Sequence, residues 1–499
     1  MKRATQRRLI VPVVALLTLA LAGFILLRNA FYGGVPGAVG EQPKPSTARE
    51  GKVGKVVAYV GATLLDGTRA QPLEGATLLV EGTRIAAVGT NLELPNGAEI
   101  VDLSGQWIIP GLIDAHVHFM TSGRLYTRPG FFDLTDKVPY EDEVRWIQDN
   151  VSQTLNAFLC SGVTSVLSLG GPSLEYETRE LTATMHDAPS VFLGHGVITH
   201  APPVIAEKII PPWDGELTIR PSMTVEASVA HVREAVARHA DLVKTAVDDR
   251  GSVALSSILR LADWRKLQGA IVDEAAKHGL RVTTHAHALE YARGMMELGA
   301  ASLQHIPTDE PIDDEFIALA KEKDVIVVPT LALGRRTFVE LITKDIDLLP
   351  IEKTCAVPGV VESWYDGIPD AARQAAAAYA RRWETARANA KALFDGGVTL
   401  AVGTDVGMIG LAPGPSIHLE LKALSEVGIP NDYLIRAATL YAARVAGKEE
   451  DYGTLEPGKF ADFLVLDADP LQDIGNLQKI QQVVKFGRVF AQEELLPES

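Results

Sequence analysis

Apolar residues in this chain come in short runs punctuated by Gly, Pro and polar clusters, and the rhythm changes twice. The early runs "KVVAYVGATLLDG", "ATLLVEGTRIAAVG" and "AEIVDLSGQWIIPG" are rich in Val and Ile and broken by Gly, so they read as strands of a small β unit. From residue 107 short β-like runs alternate with longer helical ones. The β-like runs are "IIPGLIDAHVHF", "GVTSVLSLGG", "SVFLGHGVI", "LVKTAV", "RVTTHAHA", "SLQHI", "VIVVPTL" and "TLAVGTD", eight in all. Helix-like segments at 225–239, 261–278, 312–323 and 371–396 lie between them. Eightfold alternation predicts an α/β fold, a (β/α)8 TIM barrel over residues 107–454. After residue 455 β character returns in "YGTLEPGKFADFLVLDADP" and "IQQVVKFGRVF". The expectation is a small β-sandwich domain built from N- and C-terminal segments, 53–106 and 455–492, with the barrel inserted between them.

The start of the chain is different. Lys2, Arg3, Arg7 and Arg8 precede an uncharged apolar run, Leu9 to Leu27. As a helix it would span about 28 Å, close to the thickness of a bilayer's hydrocarbon core. Basic residues ahead of the run predict a cytoplasmic N-terminus and an exported remainder. Residues 1–28 therefore read as a membrane-spanning signal anchor or as a signal peptide cleaved near Ala20-Leu21-Ala22. The anchor is favoured because "GFILL" continues the apolar run past that site. In the first case the catalytic part is membrane-anchored outside the cytoplasm; in the second it is secreted or periplasmic. Residues 29–52, rich in Gly, Pro and small polar residues, read as a linker.

A chain of 499 residues with 47% hydrophobic residues has enough apolar mass for a large core. The net charge of −16 argues against nucleic acid, which needs a basic face. Two cysteines, Cys160 and Cys355, cannot make a Cys-rich metal site, and their spacing does not establish a disulfide. The expectation is two buried, unpaired thiols.

Chemistry is expected at the C-terminal ends of the strands, where a (β/α)8 barrel carries its active site. The first strand ends in His116-Val117-His118, and residues two apart on a strand point the same way. Two neutral imidazoles on one face suit a divalent metal. The fourth run places Lys244 inside an apolar strand, where an ammonium is costly unless paired or chemically altered. The fifth ends in His285-Ala286-His287, the sixth contains His305 and the eighth ends in Asp405. The joint occurrence is far more specific than any one group.

These motifs resemble those of the amidohydrolase superfamily of metal-dependent hydrolases. "PGLIDAHVHF", "VKTAV", "VTTHAHA", "LQHI" and "GTDVG" are similar to its motifs for strands 1, 4, 5, 6 and 8, in order, and "GTLEPGKFADFLVLDADP" to its returning β segment. The Lys in strand 4 points to the binuclear prolidase-like branch, which includes Xaa-Pro dipeptidases. The resemblance implies two divalent ions. His116, His118 and Asp405 would hold the more buried one, and His285 and His305 the other, with N6-carboxylated Lys244 bridging. His287 is implied to stand beside the ligands. Zinc suits this donor set, with manganese and cobalt as other candidates. The implied reaction is attack of a metal-bridging hydroxide on an amide, of a non-standard peptide or an N-acyl amino acid, with Asp405 carrying the proton.

His195 and His200, after the third strand, and Arg335 and Arg336, after the seventh, are further candidates for substrate binding together with His287. One arginine could clamp a substrate carboxylate. His186, His231, His239 and His278 read as surface residues and His418 as packing. Long loops at 119–137, 199–224 and 337–370 carry aromatics, among them Tyr126, Phe131, Phe132, Trp364 and Tyr365, that would line the pocket or pin the loops. The third-strand stretch "ITHAPPVIAEKIIPPW" lacks the branch's Gly-Gly-His, and "DDRGSVALSSI" lacks its Tyr, which puts dipeptidase activity in doubt. The expected partners are a small-molecule amide, the membrane where the N-terminal helix is retained, and further copies of the chain in a homo-oligomer. Lactone or phosphotriester hydrolysis at the same site, a mononuclear deaminase and a non-catalytic scaffold are the alternatives.

Overall fold

A computed structural model of the chain describes residues 56–497 except 70, 131–133, 203–205, 208–209, 214 and 248–263, with the side chains of 370–380 also left aside. The signal anchor, the linker, Phe131, Phe132 and the whole of "DDRGSVALSSI" lie outside the described residues. Among the described residues no helix is long and apolar enough to cross a membrane. All of them belong to one compact unit, residues 49–499.

The first sheet contains β1 (Val56–Leu64), β2 (Leu73–Glu81), β3 (Arg84–Gly89), β4 (Glu99–Asp102) and β5 (Trp107–Pro110). It is completed by strands from the far end of the chain: Phe463–Leu466, Ile480–Lys485 and Arg488–Ala491. Phe463–Leu466 pairs antiparallel with β5, in register Phe463 to Pro110 and Leu466 to Trp107. The small sheet therefore takes in residues 107–110, and the barrel begins beyond Gly111. Alternation along these strands has a clear physical use. Phe463, Val465 and Ile108 enter the sheet's own core, whereas Leu464, Leu466 and Ile109 point the other way into the main core with the helices. Both faces are apolar, so the sheet and the barrel share a core and are not separate beads. Ile85 of β3 and Val484 of Ile480–Lys485 sit in the same cluster, which requires the sheet to curl over itself.

The barrel strands are β6 (Leu112–Val117), β7 (Val163–Ser168), β8 (Ser190–Thr199), β10 (Leu242–Ala246), β11 (Arg281–His285), β12 (Ser302–Gln304) and β13 (Ile326–Val328), with the short β9 (Arg220–Pro221) attached to β8. The three late strands of the small sheet are then β14, β15 and β16. The seven barrel strands are parallel and run in the order β6-β7-β8-β10-β11-β12-β13. The eighth run, "TLAVGTD", closes the ring through backbone hydrogen bonds on both sides. Val327 N–H donates to Thr399 O at 3.0 Å and Ala401 N–H to Val327 O at 2.9 Å. Across the other seam Ala115 N–H donates to Val402 O at 3.1 Å and Asp405 N–H to His116 O at 2.8 Å. In β10 Val243 packs outward among the helices, and Leu242 joins an inner layer with Ile326, Val328 and Ala401. Lys244, two residues after Leu242, is thereby directed to the barrel axis.

The two cysteines are not free thiols. Cys160 and Cys355 form a disulfide with Cα atoms 5.7 Å apart. It joins the end of the helix Val151–Cys160 to the end of the helix Pro350–Cys355, two segments 195 residues apart that only the closed barrel brings together. The region 337–370 is not a plain loop: it contains short helices at Pro350–Cys355 and Val360–Ser363. Trp364 donates from Nε1 to Gly123 O at 2.8 Å, and Tyr126 donates to Asp366 Oδ2 at 2.5 Å. With Leu125, Leu134, Val357, Val360 and Ile368 they tie the segment after β6 to the one after β13. Trp364 and Tyr126 thus pin the loops, while Tyr365 is 63% exposed.

Candidate metal centre

The strand ends bring the predicted donors into two groups. His116, His118 and Asp405 form one, and His285, His287 and His305 the other; within each, one ligand atom per residue lies within 4.8 Å of the others. Asp405 ties the groups together. Its Oδ1 is 3.2 Å from His116 Nε2 and 3.3 Å from His118 Nε2, and its Oδ2 is 3.9 Å from His305 Nε2. Asp405 (φ 63°), His305 (φ 69°) and Thr330 (φ 53°) all adopt left-handed backbone conformations at strand ends. For residues other than glycine such geometry costs energy and recurs at functional sites.

The ring orientations fit a metal. His118 Nδ1 lies 3.0 Å from Gly170 O; a carbonyl only accepts, so Nδ1 carries a proton and Nε2 is the nitrogen turned to Asp405. Gly170 has to be glycine for this. It sits at φ 95°, and a Cβ would come within 2.2 Å of Gly196 O. Burial, followed by the charges of Lys244, His118 and His285, holds the His116 imidazole well below its usual range, against the pull of the Gln304 side-chain oxygen as an acceptor. Burial, then His287, His285, His116 and Lys244, does the same to His305. Neutral imidazoles converging on one carboxylate are the donor set of a divalent cation.

Lys244 is 2% exposed, at a barrel position in register with Thr283. Burial pushes its ammonium down to about 7, with the Asp405 charge opposing. Its charge is felt by His116 and His305, one from each donor group. The neighbouring strands are polar at this level: Gln304 Nε2 donates to Thr283 Oγ1 at 3.0 Å, and Ser302 Oγ to the same oxygen at 2.7 Å.

Residues 107–490 match the amidohydrolase family. The chain belongs to the amidohydrolase family. Similar proteins include an imidazolonepropionase of Geobacillus sp. (strain WCH70), 27% identical, which covers 84% of this chain and 90% of that one. An ochratoxinase of Aspergillus niger is 26% identical and covers 91% of each. Among solved structures, a Xaa-Pro dipeptidase with methionine in its active site superposes with a TM-score of 0.68 at 23% identity, over 88% of this chain and 100% of that chain. The A. niger ochratoxinase superposes with a TM-score of 0.66 at 24% identity, over 88% and 96%.

Several candidates for substrate contact in this amidohydrolase are otherwise engaged. His195 lies within β8, not beyond it, and faces the helix layer: Nδ1 is 2.7 Å from the Tyr176 hydroxyl, and Nε2 is 3.7 Å from Glu234. His200 is buried, with Nδ1 2.6 Å from Ser222 O and Nε2 3.0 Å from Gln268 Nε2, so both nitrogens are used in packing. Arg335 pairs with Glu340 at 2.7 Å and Glu426 at 2.8 Å. Arg336 is fully buried, pairs with Glu352 at 2.8 Å and Glu340 at 3.0 Å, and stacks on Trp364. Neither guanidinium is available to clamp a carboxylate. His287 differs in the opposite sense. Its ring stacks on His305 with centroids 4.4 Å apart, and it joins the second donor group. His418 packs, with Nε2 2.9 Å from Ser161 O.

Three supporting residues were not singled out from sequence. Asp114, two before His116, accepts from His116 N–H at 3.1 Å and Thr404 N–H at 3.0 Å. Burial pushes its carboxyl up to about 7, against the hydrogen bonds of Thr404 and His116. Glu175, also buried, accepts from Met120 N–H at 3.0 Å and Phe119 N–H at 3.1 Å and fixes the turn after His118. The third is Thr330, beside His305. A buried acid inside the apolar run "GLIDAHVHF" was a readable signal for Asp114; Glu175 and Thr330 carried none.

Proposed function

We propose that this amidohydrolase is a two-metal hydrolase that cleaves an amide C–N bond in a small substrate, of the non-standard peptide or N-acyl amino acid type. The observation that carries the reading is the pair of donor groups joined through Asp405, with buried Lys244 coupled to both. That similar proteins are hydrolases acting on C–N bonds supports the bond type. Zinc, favoured by the imidazole-rich set, would supply Lewis acidity and lower the pKa of a bound water.

The chain's own residues have distinct roles. His116, His118 and Asp405 would hold one ion, and His285 and His305 the other with His287 at hand. Lys244, as a neutral amine, would add to carbon dioxide, forming an N–C bond and releasing one proton; the resulting carbamate has two oxygens with which to bridge. Asp405, facing both groups, would accept a proton from the attacking water and return it to the leaving nitrogen. The buried wall around Lys244 would keep bulk water from the site.

Metal analysis tests the reading: about two ions per chain supports it, one supports a mononuclear enzyme and none sinks it. Lys244→Ala should lose metal and activity, with partial rescue by short-chain carboxylates. A hydrolysis screen of N-acyl amino acids and dipeptides on metal-loaded protein would define the substrate.

The exported location belongs to the same proposal. Residues 1–28 would anchor the chain with its catalytic part outside the cytoplasm, and the Cys160–Cys355 disulfide supports this because such bonds persist in oxidising compartments. A reporter fused after residue 52 should be active only outside the cytoplasm. A mature chain beginning near Gly23 would overturn the anchor.

A further inference from the structure

His305 Nδ1 lies 2.7 Å from Thr330 Oγ1. The contact alone does not say which atom donates, because a hydroxyl can do either. A second contact bears on the choice. Thr330 Oγ1 is also 2.8 Å from the carbonyl oxygen of Pro329, which can only accept. The hydroxyl has one proton. If that proton goes to Pro329 O, Thr330 must accept from His305 Nδ1–H. The imidazole is then the tautomer with a bare Nε2, the nitrogen 3.9 Å from Asp405 Oδ2.

The backbone has been bent to obtain this arrangement. Thr330 sits at φ 53° and ψ 44°, a conformation that a β-branched residue rarely adopts. It follows the end of β13 by two residues and precedes the short helix Leu331–Arg335. That helix is tied from behind, since Ala332 N–H donates to Glu420 Oε2 at 2.5 Å. Thr330 is 5% exposed and His305 2%. Nothing in local chain propensity favours threonine here. What threonine supplies is a hydroxyl with a carbonyl acceptor 2.8 Å away for its proton and with His305 Nδ1 2.7 Å away on its other side.

We infer that Thr330 is a positioning residue that fixes the tautomer of His305, presenting Nε2 unprotonated to the second metal site before any ion binds. The inference rests on the two-metal reading for its purpose but not for its test. His118 is fixed in the same sense by Gly170 O, a backbone acceptor that no side-chain substitution removes. Thr330 is a side chain through which the second group can be perturbed without touching a donor.

The test uses metal-free protein labelled with 15N-histidine, in which long-range proton–nitrogen correlation reads the protonated nitrogen of each ring. The His305 signals are assigned with His305→Gln. Wild type should show His305 protonated at Nδ1, and Thr330→Ser should match it. Thr330→Val, of equal shape but with no acceptor, should shift the ring toward protonation at Nε2. In zinc titrations Thr330→Val should weaken the second ion by about 10–100-fold, as loss of such support commonly does, with the first ion little changed and Thr330→Ser near wild type. A wild-type His305 protonated at Nε2 overturns the inference, as does a folded Thr330→Val that keeps the wild-type tautomer and both affinities. Should Thr330→Val fail to fold, the wild-type tautomer still decides. A chain that binds no zinc would sink the two-metal reading and leave the tautomer result standing by itself.

Discussion

The carboxylate of Asp114 accepts both the backbone N–H and the hydroxyl of Thr404, at 3.0 and 2.7 Å. Asp114 lies on the first barrel strand and Thr404 on the last, so this pair fastens the closing seam one residue before Asp405. Asp114 also accepts from His116 N–H. One acid therefore supports the backbone of two proposed ligands. Asp114→Ala should destabilise by about 1–3 kcal/mol for each buried donor left unpaired, and zinc affinity should fall with it. Asp114→Asn, which keeps an acceptor, should lie between. Denaturant unfolding and zinc titration check this; unchanged values for Asp114→Ala would remove the seam from the account.

Asp405→Asn separates holding a metal from moving a proton. The amide keeps an oxygen that can contact an ion but cannot serve as a base. Much of the metal should remain while kcat falls by about 10²–10⁴-fold, the usual range for general acid–base assistance. His116→Ala should lose metal and rate together. Metal content and kcat on the best substrate distinguish the two, and an Asp405→Asn variant with nearly full kcat would pass the proton role to another group such as His287.

Removing the Cys160–Cys355 link should cost about 2–5 kcal/mol, as for disulfides that close long loops. Cys160→Ser, Cys355→Ser and the reduced wild type should all unfold at lower denaturant concentration by similar amounts. Thiol titration of denatured, unreduced protein should find no free thiol. Two reactive thiols would show that the link is not made.

Glu420 makes stability depend on pH. Burial pushes its carboxyl up to about 8, against hydrogen bonds from the backbone of Ala332 and Leu331. A carboxyl raised in the folded state contributes stability that is full below its ordinary value of about 4.5 and is lost as pH rises through about 8. Tm should therefore decline between pH 5 and 9, and Glu420→Gln, neutral throughout, should flatten part of that decline. Parallel slopes in thermal melts would show that Glu420 does not titrate there.

The gathering of side chains at the strand ends was legible because alternation along a strand leaves few ways to explain His116 and His118, or Lys244, inside apolar runs. The run "SVFLGHGVI" already contained His195, so its place inside β8, Ser190–Thr199, was readable, as was the face it shares with Val191 and Leu193, which turn to the helices. Other misses needed information that spacing does not carry. The acids that occupy Arg335 and Arg336 include Glu352 and Glu426, which come near only in the folded chain. The same holds for Cys160 and Cys355. Thr330 was invisible for another reason: its role depends on a left-handed turn in "PTL" that nothing in the local sequence announces.

The small sheet ties solubility to the completion of translation. β5 pairs with β1 on one side, through Thr63 and Leu64, and on the other it waits for β14, made at the far end of the chain. Until residues 463–466 leave the ribosome, Ile108 and Ile109 border an open strand edge, a template for pairing between nascent chains. The last strands made are thus the ones that cover the free edge of β5, and a message truncated before them should yield protein that aggregates even though every proposed metal ligand has already been synthesised.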